Sequence, residues 1–137
     1  MNIVHTQTIG LSDAWLLRAR QHQLVAGPTA ARGGDDSTWK AAELLLGALA
    51  SCATAIITDS AAQRGIALPS LHIEARSERD PDDATRYLFI QVMVRMTGPD
   101  QAQAESLVQT FQQQCPIYGT LSRGAPVSFD IEVAQAV

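Results

Sequence analysis

The chain of 137 residues is 46% hydrophobic and 18% charged, which is typical of one folded domain over residues 1–137. Ten Lys and Arg residues against fourteen Asp and Glu residues give a formal net charge of −4. Nucleic-acid binders normally present a basic face, and the sequence has no Lys/Arg cluster, so no nucleic-acid partner is expected.

Membrane and metal sites are also not expected. The longest apolar run, residues 44–57, is shorter than the roughly 20 apolar residues of a spanning helix. No basic stretch followed by an apolar run opens the sequence, which favours a soluble, cytoplasmic protein without a membrane partner. The three histidines are scattered and lack the spacing of metal ligands, so neither a metal nor another cofactor is predicted.

The first part of the chain has the pattern of short strands followed by a long helix. Strands are predicted over 3–8, 14–20 and 22–26, which together suggest a small antiparallel meander. Glycines at 27, 33 and 34 then mark a loop. The helix is predicted over 39–64, with Ser37 or Thr38 as its N-cap and Gly65 as its left-handed C-terminal residue.

This long helix is apolar on nearly every side over residues 44–57. Such a helix must be covered all round. At 1.5 Å per residue it spans roughly 35 Å, so it would cross a compact domain of this size. One short sheet cannot cover both of its sides, and a second copy of the chain is the simplest cover. The sequence therefore predicts a homodimer.

The second part of the chain predicts a hairpin, a helix and a closing strand. Apolar residues alternate with polar ones over 71–78, and within 86–96 every second residue from Leu88 onward is apolar, so one face of that strand is apolar. A turn at 80–83 lies between the two segments. A helix over 101–114, capped by Asp100, carries one apolar face, and the strand 127–133 alternates again. The element order indicates an α+β fold.

The two cysteines, Cys52 and Cys115, are too few for a disulfide scaffold. One interpretation is that both are small buried hydrophobic residues, and another is that they form a working redox pair. Spacing does not decide between these interpretations, because 62 residues separate the two and only the fold could bring them together.

Three segments carry a family resemblance: ELLLGALASCATA at 43–55, CPIYGTL at 115–121 and PVSFDIEV at 126–133. Together they resemble the osmotically inducible protein C and organic hydroperoxide resistance (OsmC/Ohr) family. The resemblance implies an OsmC-like fold, with antiparallel sheets and a long buried central helix, in an intertwined homodimer. It also implies thiol-dependent reduction of a small organic hydroperoxide, with a dithiol as reductant. Cys52 would attack the peroxide and Cys115 would resolve the product.

The sequence departs from the family pattern at the residues that activate the first cysteine. The family's peroxidases use an arginine from the first hairpin turn, held by a glutamate ten residues before that cysteine. Here Ala42 is ten residues before Cys52, Glu43 is nine before it, and the turn at 10–13 has no arginine. On a straight helix, Glu43 lies about 180° around the axis from Cys52. The candidate replacements are Arg18, Arg20 and Arg32, of which Arg20 is preferred because it closes a predicted strand.

The sequence leaves three candidate functions open. The first is a two-cysteine peroxidase that acts on organic hydroperoxides, with Cys52, Cys115, Glu43 and Arg20 as site residues. The second is a binding or redox-sensing module that keeps the fold and the cysteines without the activating arginine. The third is a structural dimer with inert thiols.

Overall fold

A computed structural model describes residues 1–135 of the chain. Its residues cluster into two compact units, Met1–Leu45 and Leu46–Val137. The domain predicted over residues 1–137 includes positions 136 and 137, which lie outside the described residues. The order of elements is strands, long helix, two strands, helices and a final strand, which confirms the predicted α+β class.

The first unit contains a three-stranded antiparallel sheet. Its strands are adjacent in the order of the sequence, as the meander prediction requires: β1 (His5–Thr8), β2 (Trp15–Ala19) and β3 (His22–Ala26). Arg20 differs from the prediction, because it lies after the end of β2 in a two-residue turn. Its backbone φ is 55°, a left-handed value that such tight hairpin turns require and that a strand residue does not adopt.

The segment before the long helix is extended, and the helix starts later than predicted. The N–H of Trp39 donates to the Val25 carbonyl, and its own carbonyl accepts from Gly27 N–H at 2.9 Å. This pairing with the end of β3 keeps Trp39 out of the helix, so capping by Ser37 or Thr38 is wrong. At the helix start, the Glu43 carboxylate accepts a hydrogen bond from the Lys40 N–H at 2.9 Å.

The long helix, α1 (Ala41–Gln63), ends just before Gly65, whose φ of 65° confirms its predicted left-handed role. One stripe of α1 is buried at every third or fourth residue: Leu49, Ala53, Ile57, Ser60 and Ala61. By length and composition alone α1 could cross a membrane, and it is the one such helix among residues 1–135. The buried stripe marks it as the core helix of its unit.

The second sheet is mixed. Strand β4 (Ser70–Arg79) pairs antiparallel with β5 (Tyr87–Thr97), as the hairpin prediction requires. Strand β6 (Val127–Ala134) pairs parallel with β5, so the expectation of antiparallel pairing is wrong here. The reason is the long helical connection between β5 and β6, which returns the chain to the starting end of β5. The predicted inner face of β5 contains four fully buried residues: Ile90, Val92, Val94 and Met96.

Two helices form that connection, α2 (Gln101–Gln114) and α3 (Pro116–Ser122). The apolar face predicted for α2 is buried: Ala104, Leu107, Val108 and Phe111. Asp100 caps α2 as predicted, within a capping box that it forms with Gln103. Helix α3 is not among the predicted elements. Proline fits the first position of a helix, where its missing N–H costs nothing.

We predict that Asp100→Ala lowers the free energy of unfolding by about 1 kcal/mol, because the Gln103 N–H loses its acceptor. Urea unfolding followed by circular dichroism measures the change. Gln113→Ala, at an exposed position of the same helix, is the control and should stay within about 0.5 kcal/mol of the parent. Equal effects of the two substitutions would contradict the capping role.

Candidate active site

The two cysteines lie on different elements of the second unit. Cys52 is in the middle of α1, one residue before the buried Ala53, and is partly exposed at the edge of the buried stripe. Cys115 is almost fully buried, with 3% of its surface exposed, and joins α2 to α3. It is the C-cap of α2, where its N–H donates to the Phe111 carbonyl at 2.9 Å, and also the N-cap of α3.

The two sulfur atoms are in contact. The Sγ atoms of Cys52 and Cys115 are 2.7 Å apart, and both residues are free thiols. A disulfide bond is about 2.05 Å long, so a small movement would join them. The fold therefore brings these two cysteines together, although 62 residues separate them in the sequence.

Backbone amides at the start of α3 act on both sulfurs. The Tyr118 N–H donates to Cys115 Sγ at 3.3 Å. The Ile117 N–H lowers the pKa of Cys52. Because residue 116 is a proline and has no N–H, these are the first two amides that α3 can offer.

An aromatic cluster fixes α3 against the core. The ring of Tyr118 lies 5.7 Å from that of Phe111 and 5.5 Å from that of Phe129, in tilted arrangements. Such geometry is favourable for aromatic pairs. The Tyr118 hydroxyl also accepts a hydrogen bond from Gln112 Nε2 of α2 at 3.3 Å. The wall beside Cys115 is consequently apolar, with one polar contact between α2 and α3.

Burial and the neighbouring Cys115 together raise the pKa of the Cys52 thiol to about 11, and burial is the larger cause. Cys115 opposes ionisation because two ionised sulfurs would place two negative charges side by side. The Ile117 N–H acts in the opposite direction, since it stabilises the thiolate. A nucleophilic thiol must ionise near neutral pH, so Cys52 needs further stabilisation of its charged form.

The other predicted site residues lie in the first unit. Glu43 is exposed in the first turn of α1, where its carboxylate accepts from the Lys40 N–H. Arg20 is exposed in the turn after β2, and Arg18 and Arg32 are also exposed. The pKa of Cys52 is set by burial, Cys115 and the Ile117 N–H. A role of Glu43 or of these arginines in activating Cys52 therefore stays a prediction.

Residues around the sulfurs that the sequence did not single out belong to α2 and α3: Gln112, Ile117 and Tyr118. The available signal was the Cys-Pro pair at 115–116, since proline is common in the first turn of a helix and leaves the following amides unpaired. Among residues 1–135, no group of three His, Cys, Asp or Glu side chains is placed to hold a metal ion.

The fold and the site together define a class: an α+β protein with a two-thiol centre between a core helix and a helix junction. A family model described as "OsmC-like protein" matches residues 34–130, well over half of the chain. The chain therefore belongs to the OsmC-like protein family. No curated protein matches the sequence at a significant level.

Solved structures share this fold at low sequence identity. An OsmC-like protein from Mycoplasma pneumoniae is 13% identical, with 98% of this chain and 97% of that chain covered and a TM-score of 0.84. An organic hydroperoxide resistance protein OsmC from Legionella pneumophila is 17% identical, with 96% of each chain covered and a TM-score of 0.79. An organic hydroperoxide resistance protein from Elizabethkingia anophelis is 11% identical, with 98% and 96% covered and a TM-score of 0.81. These similarities establish the OsmC-like fold.

We predict that Cys115→Ala lowers the pKa of Cys52, because it removes the neighbouring sulfur that opposes ionisation. Burial is retained, so Cys52 should still ionise above the free-thiol value of about 8.5 unless a cation is supplied. Iodoacetamide labelling of Cys52 as a function of pH measures the change. Ser122→Ala, which removes a hydroxyl from the far end of α3, should leave the labelling curve unchanged.

Proposed function

We propose that this protein is a thiol-dependent peroxidase that reduces organic hydroperoxides through Cys52 and Cys115. The observation that carries the proposal is the 2.7 Å separation of the two free thiols. Membership of the OsmC-like family supports it, as do two structural neighbours that are named organic hydroperoxide resistance proteins. The apolar wall beside Cys115 suits a substrate with an organic group.

The proposed reaction has two steps that conserve atoms and electrons. The Cys52 thiolate attacks the outer oxygen of the hydroperoxide, the O–O bond breaks, and the leaving alkoxide takes a proton to become an alcohol. Cys52 is then a sulfenic acid. The Cys115 sulfur attacks the Cys52 sulfur, the S–S bond forms, and hydroxide leaves with a proton as water. Cys52 is the proposed attacking residue because it is the more exposed of the two.

A dithiol reductant would restore both thiols by exchange with the disulfide. No metal or organic cofactor is needed in this scheme, since the two sulfur atoms carry both electrons. The proposed location is the cytoplasm, where reductants keep such thiols reduced between turnovers.

We also propose that the protein is a homodimer through the open side of α1. Only 17% of the most apolar window of this helix is buried. An exposed stripe runs along it at helical spacing and carries no charge: Ala48, Ser51, Ala55, Thr58 and Ala62. The Thr58 hydroxyl donates to the Thr54 carbonyl at 2.7 Å, so its polar group is already satisfied within the helix. A symmetry-related copy offers the same uncharged stripe as a cover.

Activation of Cys52 requires a positive charge, and we propose that an arginine of the first unit, from the same chain or its partner, supplies it. Arg20 is the first candidate, because its left-handed backbone places it at the tip of the β2–β3 hairpin. Arg18 and Arg32 are the alternatives. In this scheme Glu43 orients the guanidinium, and a cation beside the sulfur lowers the pKa of Cys52.

The second candidate function is a redox-sensing or binding module. The feature that favours it is the high pKa of Cys52, because a thiol that stays neutral near pH 7 is a poor nucleophile. In that case hydroperoxide would not turn over, although the thiol pair could still be oxidised slowly. The two candidates differ in whether the reaction is catalytic with a dithiol reductant present.

We predict that the wild-type protein consumes an organic hydroperoxide such as cumene hydroperoxide in the presence of dithiothreitol. Cys52→Ser should abolish consumption, because the attacking sulfur is lost. Cys115→Ser should stop turnover and leave a sulfenic acid on Cys52, which a dimedone adduct detects by mass spectrometry. Arg20→Ala should slow consumption and raise the apparent pKa of Cys52.

The control for this assay is Ser128→Ala, on the exposed face of β6, which should retain the wild-type rate. An inactive wild-type protein whose thiols are still oxidised by stoichiometric peroxide would favour the redox-sensing module. Unchanged activity in each of Arg18→Ala, Arg20→Ala and Arg32→Ala would exclude activation by these arginines.

We predict a dimer at micromolar concentration in analytical ultracentrifugation, with a buried interface of about 2,000 Å² or more. Ala55→Glu should convert it to monomer, since a carboxylate on the open stripe of α1 would be buried without a partner. Ala102→Glu, the same change at an exposed position of α2, is the matched control and should remain dimeric. A wild-type monomer at this concentration would contradict the assembly.

A further inference from the structure

We infer that Gln112 and the Tyr118 hydroxyl are positioning residues for the thiol pair, because their contact holds the start of α3, and with it the Tyr118 N–H, against the Cys115 sulfur. The inference rests on the proposed function, since it concerns the same two thiols. The side-chain hydrogen bond of each residue is to the other and not to a sulfur, so each acts through the backbone of α3.

One backbone amide of α3 is placed directly against the thiol pair. The Tyr118 N–H donates to Cys115 Sγ at 3.3 Å. The preceding amide, the Ile117 N–H, lowers the pKa of Cys52. A backbone N–H that donates to sulfur favours the thiolate over the thiol. The position of the start of α3 consequently affects how readily the pair ionises.

A hydrogen bond to α2 holds the start of α3 in place. Helix α3 has only seven residues, and α2 ends at the residue immediately before it. The side-chain hydrogen bond that the structure shows between the two helices is the one from Gln112 Nε2 to the Tyr118 hydroxyl, at 3.3 Å. Packing with Phe111 and Phe129 restrains the Tyr118 ring. The hydrogen bond from Gln112 then fixes the position of the Tyr118 hydroxyl relative to α2.

The contact between Gln112 and Tyr118 spans Cys115, the residue at which α2 ends and α3 begins. Cys115 has an extended backbone, with φ −83° and ψ 115°, between two helical segments. Rotation at this residue would tilt α3 and move the Tyr118 amide away from the Cys115 sulfur. A link from one turn before Cys115 to one turn after it opposes that rotation. Gln112 and Tyr118 lie three residues on either side of Cys115.

The test uses the full chain and an oxidant that does not depend on peroxide chemistry. Reduced protein is mixed with oxidised glutathione over a range of pH, and formation of the Cys52–Cys115 disulfide is followed by mass spectrometry. One thiolate attacks glutathione disulfide and releases one glutathione thiol, and the second thiolate then displaces the other. The rate profile gives the apparent pKa of the pair as a unit.

Tyr118→Phe removes the hydroxyl and keeps the ring, and Gln112→Met removes the donor at nearly constant volume. We expect each to shift the rate profile to higher pH and to slow disulfide formation at neutral pH by roughly threefold to tenfold, the size of one modest hydrogen bond. The double variant should be no slower than either single variant, because both remove the same contact. Gln113→Met, at the exposed neighbouring position, should behave as wild type.

Three results would overturn the inference: an unmoved rate profile in Tyr118→Phe and Gln112→Met, additive effects in the double variant, or an equal shift in Gln113→Met. Hydrogen exchange at the Tyr118 amide gives a second measurement, and faster exchange in both single variants is expected. Because glutathione disulfide replaces the hydroperoxide, these results stand even if the wild-type protein fails to consume hydroperoxide. Failure of the peroxidase proposal is thereby distinguished from failure of this one.

Discussion

Burial of one stripe of α1 is the interaction on which the site depends. Leu49, Ala53 and Ile57 are fully buried at intervals of four residues, which fixes the rotation of the helix about its axis. Cys52 precedes Ala53, so the same rotation places its sulfur at the edge of the core, where it meets Cys115. A different buried stripe would turn Cys52 away from the junction of α2 and α3.

The burial that brings the sulfurs together also makes Cys52 harder to ionise. An apolar environment favours the neutral thiol, and a second sulfur in contact adds to this effect, which is why the pKa of Cys52 is high. A reactive centre here must regain that free energy from donors or cations. The amides of α3 are donors that the fold already provides: the Tyr118 N–H donates to Cys115 Sγ at 3.3 Å, and the Ile117 N–H lowers the pKa of Cys52.

Solved structures share this fold at only 11% to 17% sequence identity, so the fold does not depend on the identity of most residues. Sheet and helix positions depend on the alternation of apolar and polar residues, which many sequences satisfy. The inner face of β5 is such a pattern, with Ile90, Val92 and Val94 all buried. The fold therefore survives extensive substitution, whereas reaction chemistry depends on a few individual side chains.

By itself the sequence determined the α+β class, the apolar faces of β5 and α2, the Asp100 cap and the two cysteines as the reactive candidates. These features are local, because periodicity and capping depend on residues a few positions apart. Only the tertiary structure decided that Cys52 and Cys115 are in contact, that β6 runs parallel to β5, and that α3 begins at Pro116. Each of these depends on long-range packing, which brings together residues that no spacing rule along the chain relates.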